Sequence, residues 1–377
     1  MKYVAFDTET TGLSTFHGAR PFLFIWTDTD NLKDVKTTKH PHKIKELLEN
    51  PNISKIAHNF KFDSLMCKAL GINVQGPIYD TMIACHLLDE NLPKSLEYAA
   101  AKYLKQRKLT DSVKNWFKEN KIKKDDQNYS HVPDSIMIPY AKTDAWLTYK
   151  LFFKLKPLLE QSKLWELFEK ECALITPLID MQTRGMLIDT HYFKAQEEEL
   201  RPKIDTLEQE VYDVVGKEFN MKSPKQLAEI LIEANIPLEL GPESPKTKKR
   251  SYITDKNALK EIDHPIVKKL LEYREFQKFH KTYFVGILNN QVNNVIHCNI
   301  NQCGTTTGRV SSSNPNLQNL HKEDTRVRKG FITREGYYNF FIDYEQMEYR
   351  IFAHYAKDNY LIEQIKQGAD FHQIIAD

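Results

Sequence analysis

Phe6-Asp7-Thr8-Glu9-Thr10-Thr11-Gly12-Leu13 lies at the start of the chain and closes the short run Lys2-Tyr3-Val4-Ala5-Phe6. That run reads as a β-strand. Side chains alternate along a strand, so Asp7 and Glu9 point to the same side. Two carboxylates about 4 Å apart repel by roughly 4 kcal/mol at an effective dielectric of about 20. A divalent cation held by hard oxygen ligands is the usual compensation. An Asp-x-Glu by itself is more often a solvated strand end. The reading turns on the carboxylates that follow, each in its own setting.

At 377 residues the chain exceeds the size at which one hydrophobic core keeps growing, so two or three domains are expected. A hydrophobic content of 41% and a charged content of 28% are those of a soluble globular protein. The net charge of +2 argues neither for nor against nucleic acid, so any basic surface must be local. Cys67, Cys85, Cys172, Cys298 and Cys303 have no paired metal-ligand spacing and sit in apolar or helical runs. They read as reduced thiols of a cytoplasmic protein. Met1 leads straight into the first strand without a signal peptide, and no apolar stretch is long enough to span a membrane.

Phe22 to Thr27 and Leu32 to Thr37 are short β-rich runs parted by Asp/Asn turns and predict a meander. A helix is expected from about Pro41 to Asn50, a strand from Ile53 to Ala57, and a helix from Ser64 to Leu70 that stops at Gly71. Tyr79 to Leu88 predicts a further helix carrying Asp80. Strands followed by alternating helices make an α/β layer. Asn59 and Asp63 are four apart, as are Tyr140 and Asp144, so each pair shares a helix face. Either pair alone is a common coincidence. Together with the first strand they give the set Asp7, Glu9, Asp63, Tyr140 and Asp144.

These stretches, over roughly residues 1–155, resemble the three motifs of the DEDD superfamily of 3′→5′ exonucleases, in the subtype with a catalytic tyrosine. The resemblance implies a ribonuclease-H-like α/β fold and phosphodiester hydrolysis, in which two metals about 3.5–4 Å apart clamp the attacking and leaving oxygens. It implies Mg²⁺ or Mn²⁺, two ions, with Asp7 bridging them. Glu9, Asp63 and Asp144 would be further direct or water-mediated ligands, and Tyr140 would orient the attacking water. Leu13 would wedge against the terminal bases, and Asn59 and Asp80 would support strand and site. The basic stretch from Lys102 to Lys124 is more often a solvated face than a single-strand track.

From Phe152 to about Asn290 the chain reads as helical. Gly185 ends one long helix, and Met186 to Asp189 follow as a short extended segment. Another helix runs from His191 to Gly216. Ser223-Pro224-Lys225-Gln226 reads as a capping box with Pro at the first helical position, and His264 to Leu288 as one long helix. On it Arg274, Lys278 and Lys281 form a stripe that suits a phosphate backbone, or a solvated face. Gly304 to Asn319 reads as a long polar loop offering the donors Arg309, Gln318 and Asn319. Such donors can test base-pair geometry at minor-groove acceptors, which every pair presents. Phe340-Phe341-Ile342-Asp343 reads as an apolar strand ending on a carboxylate, with a helix opening over Glu345 to Arg350.

The loop and this last unit resemble the Thr-Gly-Arg loop and motif A of the family A DNA polymerases. The middle region, with Met181-Gln182-Thr183-Arg184-Gly185, Ser223-Pro224-Lys225-Gln226-Leu227 and Tyr273-Arg274-Glu275, resembles that family's thumb. The likeness implies an exonuclease domain (1–160), a helical thumb-like region (161–295) and the start of an α+β palm (296–377). By the same likeness Asp343 is a polymerase metal ligand, Glu348 the steric gate against a ribose 2′-hydroxyl, and Gln346 and His372 further nucleotide contacts. Arg274, Lys278, Arg309, Gln318 and Asn319 would hold DNA. Glu345 departs from the family, which usually has Ser there. The family's fingers helix and second palm aspartate have no counterpart after His372. The resemblance therefore implies the N-terminal portion of a replicative polymerase, looking more like a phage enzyme, acting on single-stranded 3′ ends and primer–template with deoxynucleotides. A second polypeptide would supply the rest, since this chain alone is not expected to polymerise. The rival readings are a stand-alone DEDD nuclease of DNA or RNA ends and a non-catalytic assembly subunit. The thumb-like region argues against the first, and the intact carboxylate set against the second.

Overall fold

The first strand, β1 (Lys2–Thr10), is nine residues long and forms the middle of a five-stranded sheet of order β3-β2-β1-β4-β5. The computed structural model describes residues 2–106, 110–244, 248–320 and 325–369. Val4, Ala5 and Phe6 are all buried, as a strand covered on both faces requires. β2 (Pro21–Thr27) runs antiparallel to β1, with Asp7 opposite Ile25 and Glu9 opposite Leu23, and a bulge falls between Glu9 and Thr10. β3 (Lys36–Thr38) pairs with the outer side of β2. Only the end of the predicted second meander strand forms. Asn31 caps a tight 3₁₀ turn over Leu32–Asp34 through its side chain, and that turn takes up the first half. After α1 (His42–Glu49), β4 (Ile53–Ala57) joins β1 in parallel. α2 (Phe60–Lys68) follows, and β5 (Ile78–Asp80) closes the sheet in parallel to β4.

The sheet is covered by α3 (Thr81–Leu88), the short α4 (Leu96–Ala99), α5 (Thr110–Glu119) and the 28-residue α6 (Asp134–Gln161). β2 shows the division of the core. Phe24 packs with Phe6, Ile56 and the second half of α6, from Leu147 to Leu159. Leu23 and Ile25, on the opposite face, pack with Val113 and Phe117 of α5 and with Met137, Tyr140 and Ala141 of α6. α6 thus serves both faces, and its polar turn at Asp144 falls between the two apolar halves.

α7 (Trp165–Arg184) ends at Gly185, whose φ of +58° and whose closeness to the Ile296 carbonyl (a Cβ would sit 2.5 Å from it) require glycine. β6 (Met186–Leu187), α8 (Thr190–Val215), α9 (Pro224–Glu233), α10 (Lys256–Lys260) and α11 (Pro265–Phe279) follow. Ile204, Leu207, Val211, Leu227, Leu231, Leu270 and Tyr273 give this helical region its own core. Ser223 caps α9 as expected, but Gln226 Oε1 accepts from Asn220 N–H at 2.8 Å, so the reciprocal half of the box is not made to Ser223. The predicted single helix to Leu288 is interrupted by a π turn, His280–Val285, before α12 (Gly286–Asn290). β7 (Gln291–Val292) and β6 flank β8 (Val295–Ile296), and β9 (Asn299–Asn301) pairs antiparallel with β10 (Ser311–Ser313). The Gly304–Asn319 segment is therefore a hairpin arm and not an open loop. Ser312 is buried, and its hydroxyl bonds Pro315 O and Leu317 N.

α13 (Arg326–Lys329) precedes the end of the first compact unit at Ile332, and a second unit comprises Thr333–Asp377. The second unit holds α14 (Met347–Ala356) and α15 (Asn359–Lys366). The strand predicted over Phe340–Asp343 is not formed, and Phe341 is 94% exposed. A strand needs a neighbour to take its ladder bonds, and none pairs with it among the described residues. All five cysteines are free thiols. No described helix is long and apolar enough to cross a membrane.

The predicted helix from Tyr79 starts later, because Asp80 caps it from outside. Its Oδ1 accepts from Met82 N–H at 2.8 Å. The same buried carboxylate reaches the start of α2, where Oδ1 accepts from Asn59 N–H at 3.0 Å and Oδ2 from Phe60 N–H at 2.8 Å. One side chain therefore satisfies the open N–H groups of two helices. Burial pushes its pKa up to about 6, against the opposing pull of these N–H bonds. Asp80→Asn turns an amide NH₂ toward the donors it served and should destabilise the fold by about 2 kcal/mol. Urea unfolding followed by tryptophan fluorescence measures this directly, since Trp26, Trp116, Trp146 and Trp165 all lie at or before the start of α7. An unchanged midpoint would show the double cap to be dispensable.

Candidate active site

Carboxylate oxygens of Asp7, Glu9 and Asp144 lie within 4.8 Å of one another. Asp7 and Glu9 come from one face of β1 just before its bulge, and Asp144 from the middle of α6. Glu9 and Asp144 are buried, Asp144 to 5% exposure, and Asp7 is half-buried. At such a spacing each pair repels by about 3.5 kcal/mol for an effective dielectric of about 20. Three hard oxygen donors from a rigid strand and helix suit Mg²⁺ or Mn²⁺. Tyr140 lies one turn before Asp144 on the same face of α6, within the core.

Asp63, expected as a further direct or water-mediated ligand, lies outside this close group of three. It sits in the first turn of α2, and its Oδ1 accepts from Thr8 N–H at 2.9 Å and from Thr8 Oγ1–H at 2.7 Å. It thus clasps β1 at the residue between Asp7 and Glu9. Burial raises its pKa to about 7, Thr8 pulls it down, and the charge of Asp80 raises it. Sequence reasoning missed Thr8. The available signal was a hydroxyl at an inward strand position.

Leu13 stands beyond the bulge, 88% exposed. Asn59 takes a left-handed conformation at φ +71° just ahead of α2, held by Asp80. So Asn59 and Asp63 are not two rungs of one helix, as their spacing had implied. Leu13, Phe16 and Asn59 line one side of a cleft of about 580 Å³ whose other side includes His297 and Gln302. Phe16 stacks on the His297 ring at a centroid distance of 3.9 Å. In the basic stretch, Lys121, Lys123 and Lys124 are exposed, whereas Arg107 and Lys108 lie outside the described residues.

On the thumb-like helices the predicted stripe divides. Lys278 and Lys281 are exposed, but Arg274 is half-buried and its Nη1 donates to Thr254 O at 2.5 Å. Lys222, Arg274, Lys278 and Lys281 line one groove. Lys256, Lys278 and Arg326 meet Phe276, Phe279 and Tyr283 in another, with the Arg326 guanidinium 5.1 Å over the Phe279 ring. Lys222, Lys256 and Arg326 were not foreseen, because they come from separate segments. In the hairpin arm Arg309 is exposed, Gln318 Nε2 donates to Val310 O at 3.0 Å, and Tyr283 donates to Asn319 O. Two of the three predicted DNA contacts thus help to fold the arm itself.

In the second unit Asp343 is exposed. The unexpected carboxylate Glu345 has Arg350 beside it at 3.9 Å, and its carbonyl accepts from Arg350 Nε at 2.8 Å. Gln346 takes a left-handed conformation at φ +50° ahead of α14, and Glu348 lies in that helix's first turn. His372 lies outside the described residues.

The family model for DNA polymerase family A matches residues 190–377, and that for 3′-5′ exonuclease matches residues 1–160. Among curated proteins the chain is similar to DNA polymerase I of Borreliella burgdorferi, 33% identical over 98% of this chain and 41% of that protein. It is also similar to DNA polymerase I of Treponema pallidum, 32% identical over 89% of this chain and 33% of that protein. The chain thus spans between a third and about two fifths of the length of these two relatives. Both are bacterial, whereas the sequence reading expects a phage source. Among solved structures it resembles the POL domain of Pol1 from M. smegmatis, in complex with DNA primer-template and dNTP. The TM-score is 0.76 at 24% identity, over 99% of this chain and 62% of that one, which shows the fold.

An ion held by the carboxylate cluster would make stability metal-dependent. Mn²⁺ at a hundredfold excess over its dissociation constant should stabilise the wild-type chain by about 2.7 kcal/mol. Asp7→Asn should be at least as stable as wild type in EDTA, because it relieves like-charge repulsion, and should lose most of the Mn²⁺ effect. Thermal melts with and without Mn²⁺ read both, and equal Mn²⁺ shifts for the two proteins would rule the cluster out as the ion site.

Proposed function

The chain belongs to DNA polymerase family A and carries a 3′-5′ exonuclease domain, and on that footing we propose that residues 1–160 remove nucleotides from DNA 3′ ends as a proofreading activity. The observation that carries this reading is the meeting of Asp7, Glu9 and Asp144 within 4.8 Å. Two Mg²⁺ or Mn²⁺ ions would there stabilise the attacking and leaving oxygens of the phosphodiester. Asp7, Glu9 and Asp144 would hold them, and Asp63 would contribute through water while its Oδ1 stays with Thr8. The Tyr140 hydroxyl orients the attacking water. Leu13 separates the terminal bases, and Asn59 steadies the strand along the cleft.

The same reading gives residues 161–295 the role of thumb and 296–377 that of the first palm segment. Lys278 and Lys281 neutralise the phosphate backbone of primer–template beside Arg274, which Thr254 holds in place, and Arg309, Gln318 and Asn319 lie along its minor groove. Asp343, Gln346, Glu348 and His372 serve the incoming deoxynucleotide. Tyr338, Phe340, Phe341, Ile342 and Tyr355 are all more than four-fifths exposed, and exposed apolar groups in such number mark an interaction surface. Further palm structure of the family covers it, on this or a second polypeptide. The setting of this work is the cytoplasm, where the free thiols stay reduced.

Two experiments test the reading. With Mg²⁺ or Mn²⁺ the chain should shorten a 5′-labelled single strand stepwise from its 3′ end. Asp7→Ala should slow this by at least about a hundredfold, since outer contacts to a metal site alone are worth about 10–100-fold. Shortening that persists in Asp7→Ala sinks the assignment. Replacing both Lys278 and Lys281 by Ala should weaken duplex binding evenly across sequences and flatten the slope of log K against log salt by about two. An unchanged slope would make both lysines ordinary solvated charges.

A further inference from the structure

Lys61 lies on α2, two residues after Asn59 and two before Asp63. Its amine leaves the exonuclease domain altogether. It donates to Gln182 Oε1 in the last turn of α7 at 2.9 Å, to Asn299 Oδ1 at 2.6 Å and to Ile300 O at 2.5 Å, both on β9. Three acceptors match the three hydrogens of an ammonium group. The bonding continues outward. Asn299 Nδ2 donates to Asn301 Oδ1 at 2.7 Å, and Asn301 Nδ2 donates to Ser313 Oγ at 3.2 Å. Ser313 is on β10, the strand that leads out of the Thr-Gly-Arg arm. A polar chain therefore runs from the helix carrying Asp63, through two asparagines, to the arm assigned to the duplex.

From this we infer that Lys61 is a positioning residue: it holds the exonuclease site in register with the duplex-bearing arm, so that a primer end on a duplex reaches the carboxylates. The inference rests on the proposed exonuclease activity and adds a substrate distinction to it. A free single strand has no duplex for the arm to hold, so it reaches the carboxylates without being presented in register. A mismatched primer end must be presented by the arm, and its position depends on the chain from Lys61 to Ser313. Packed networks with fixed partners carry this kind of coupling, and double-variant measurements detect it.

The test compares hydrolysis of a single-stranded oligonucleotide with hydrolysis of the same strand annealed as a mismatched primer. Lys61→Met keeps the length of the side chain and removes its donors. It should leave single-strand hydrolysis within about twofold and lower mismatched-primer hydrolysis about tenfold, and Lys61→Arg should recover part of the loss. Ser313→Ala should give a smaller loss of the same kind, and adding it to Lys61→Met should cost nothing more. Equal loss on both substrates would reduce Lys61 to a structural support and overturn the inference, as would unchanged hydrolysis of both. Additive losses for Lys61→Met and Ser313→Ala would overturn the chain between them. A wild-type chain inactive on both substrates would instead bring down the exonuclease reading itself, and this inference with it.

Discussion

The like-charge repulsion of Asp7, Glu9 and Asp144 is the constraint that the first half of the molecule is built against. Without an ion the three carboxylates would separate if the backbone let them. β1 cannot move, because it is the middle strand of its sheet and is buried on both faces. Asp63 fastens Thr8 from the side, between the two strand carboxylates. α6 cannot retreat, since its two apolar halves are locked into cores on opposite faces of the sheet. A site held this firmly against its own charge needs little rearrangement to take a cation.

Asp80 supports this arrangement from behind. By capping α2 and α3 at once it fixes the start of the helix that carries Asp63, and hence the clasp on β1. A buried carboxylate is costly unless its oxygens are bonded. Here Oδ1 takes two N–H donors and Oδ2 takes one, so the cost is offset by groups that helix ends leave open in any case.

Much of this was legible in the residues. Alternation along Lys2–Glu9 showed which side chains share a face, and the order of motifs gave the exonuclease-like layer. Spacing could not show that Asp63 Oδ1 bonds Thr8, because the partner a carboxylate oxygen meets depends on tertiary position. Asp80 looked helical because a cap and a first-turn residue differ by one position in sequence. The Gly304–Asn319 stretch looked unstructured for want of apolar residues, yet it is ordered by hydroxyl and amide bonds such as those of Ser312 and Gln318. Arg274 read as a surface cation, and only the fold reveals that Thr254 holds it. Phe340–Asp343 has the composition of a strand but no neighbour to pair with among the described residues.

That last segment has a practical consequence. Tyr338 to Tyr344 is rich in aromatic residues, has high β-propensity and carries one carboxylate, Asp343, and among the described residues its backbone groups pair in no sheet. Windows of this kind stack on identical copies of themselves, strand against strand. Asp343 is the one charge in that window, and in such a stack it would be repeated at every step, which opposes stacking. Replacing Asp343 by a neutral residue would remove that charge, and self-association of concentrated protein would be expected to rise.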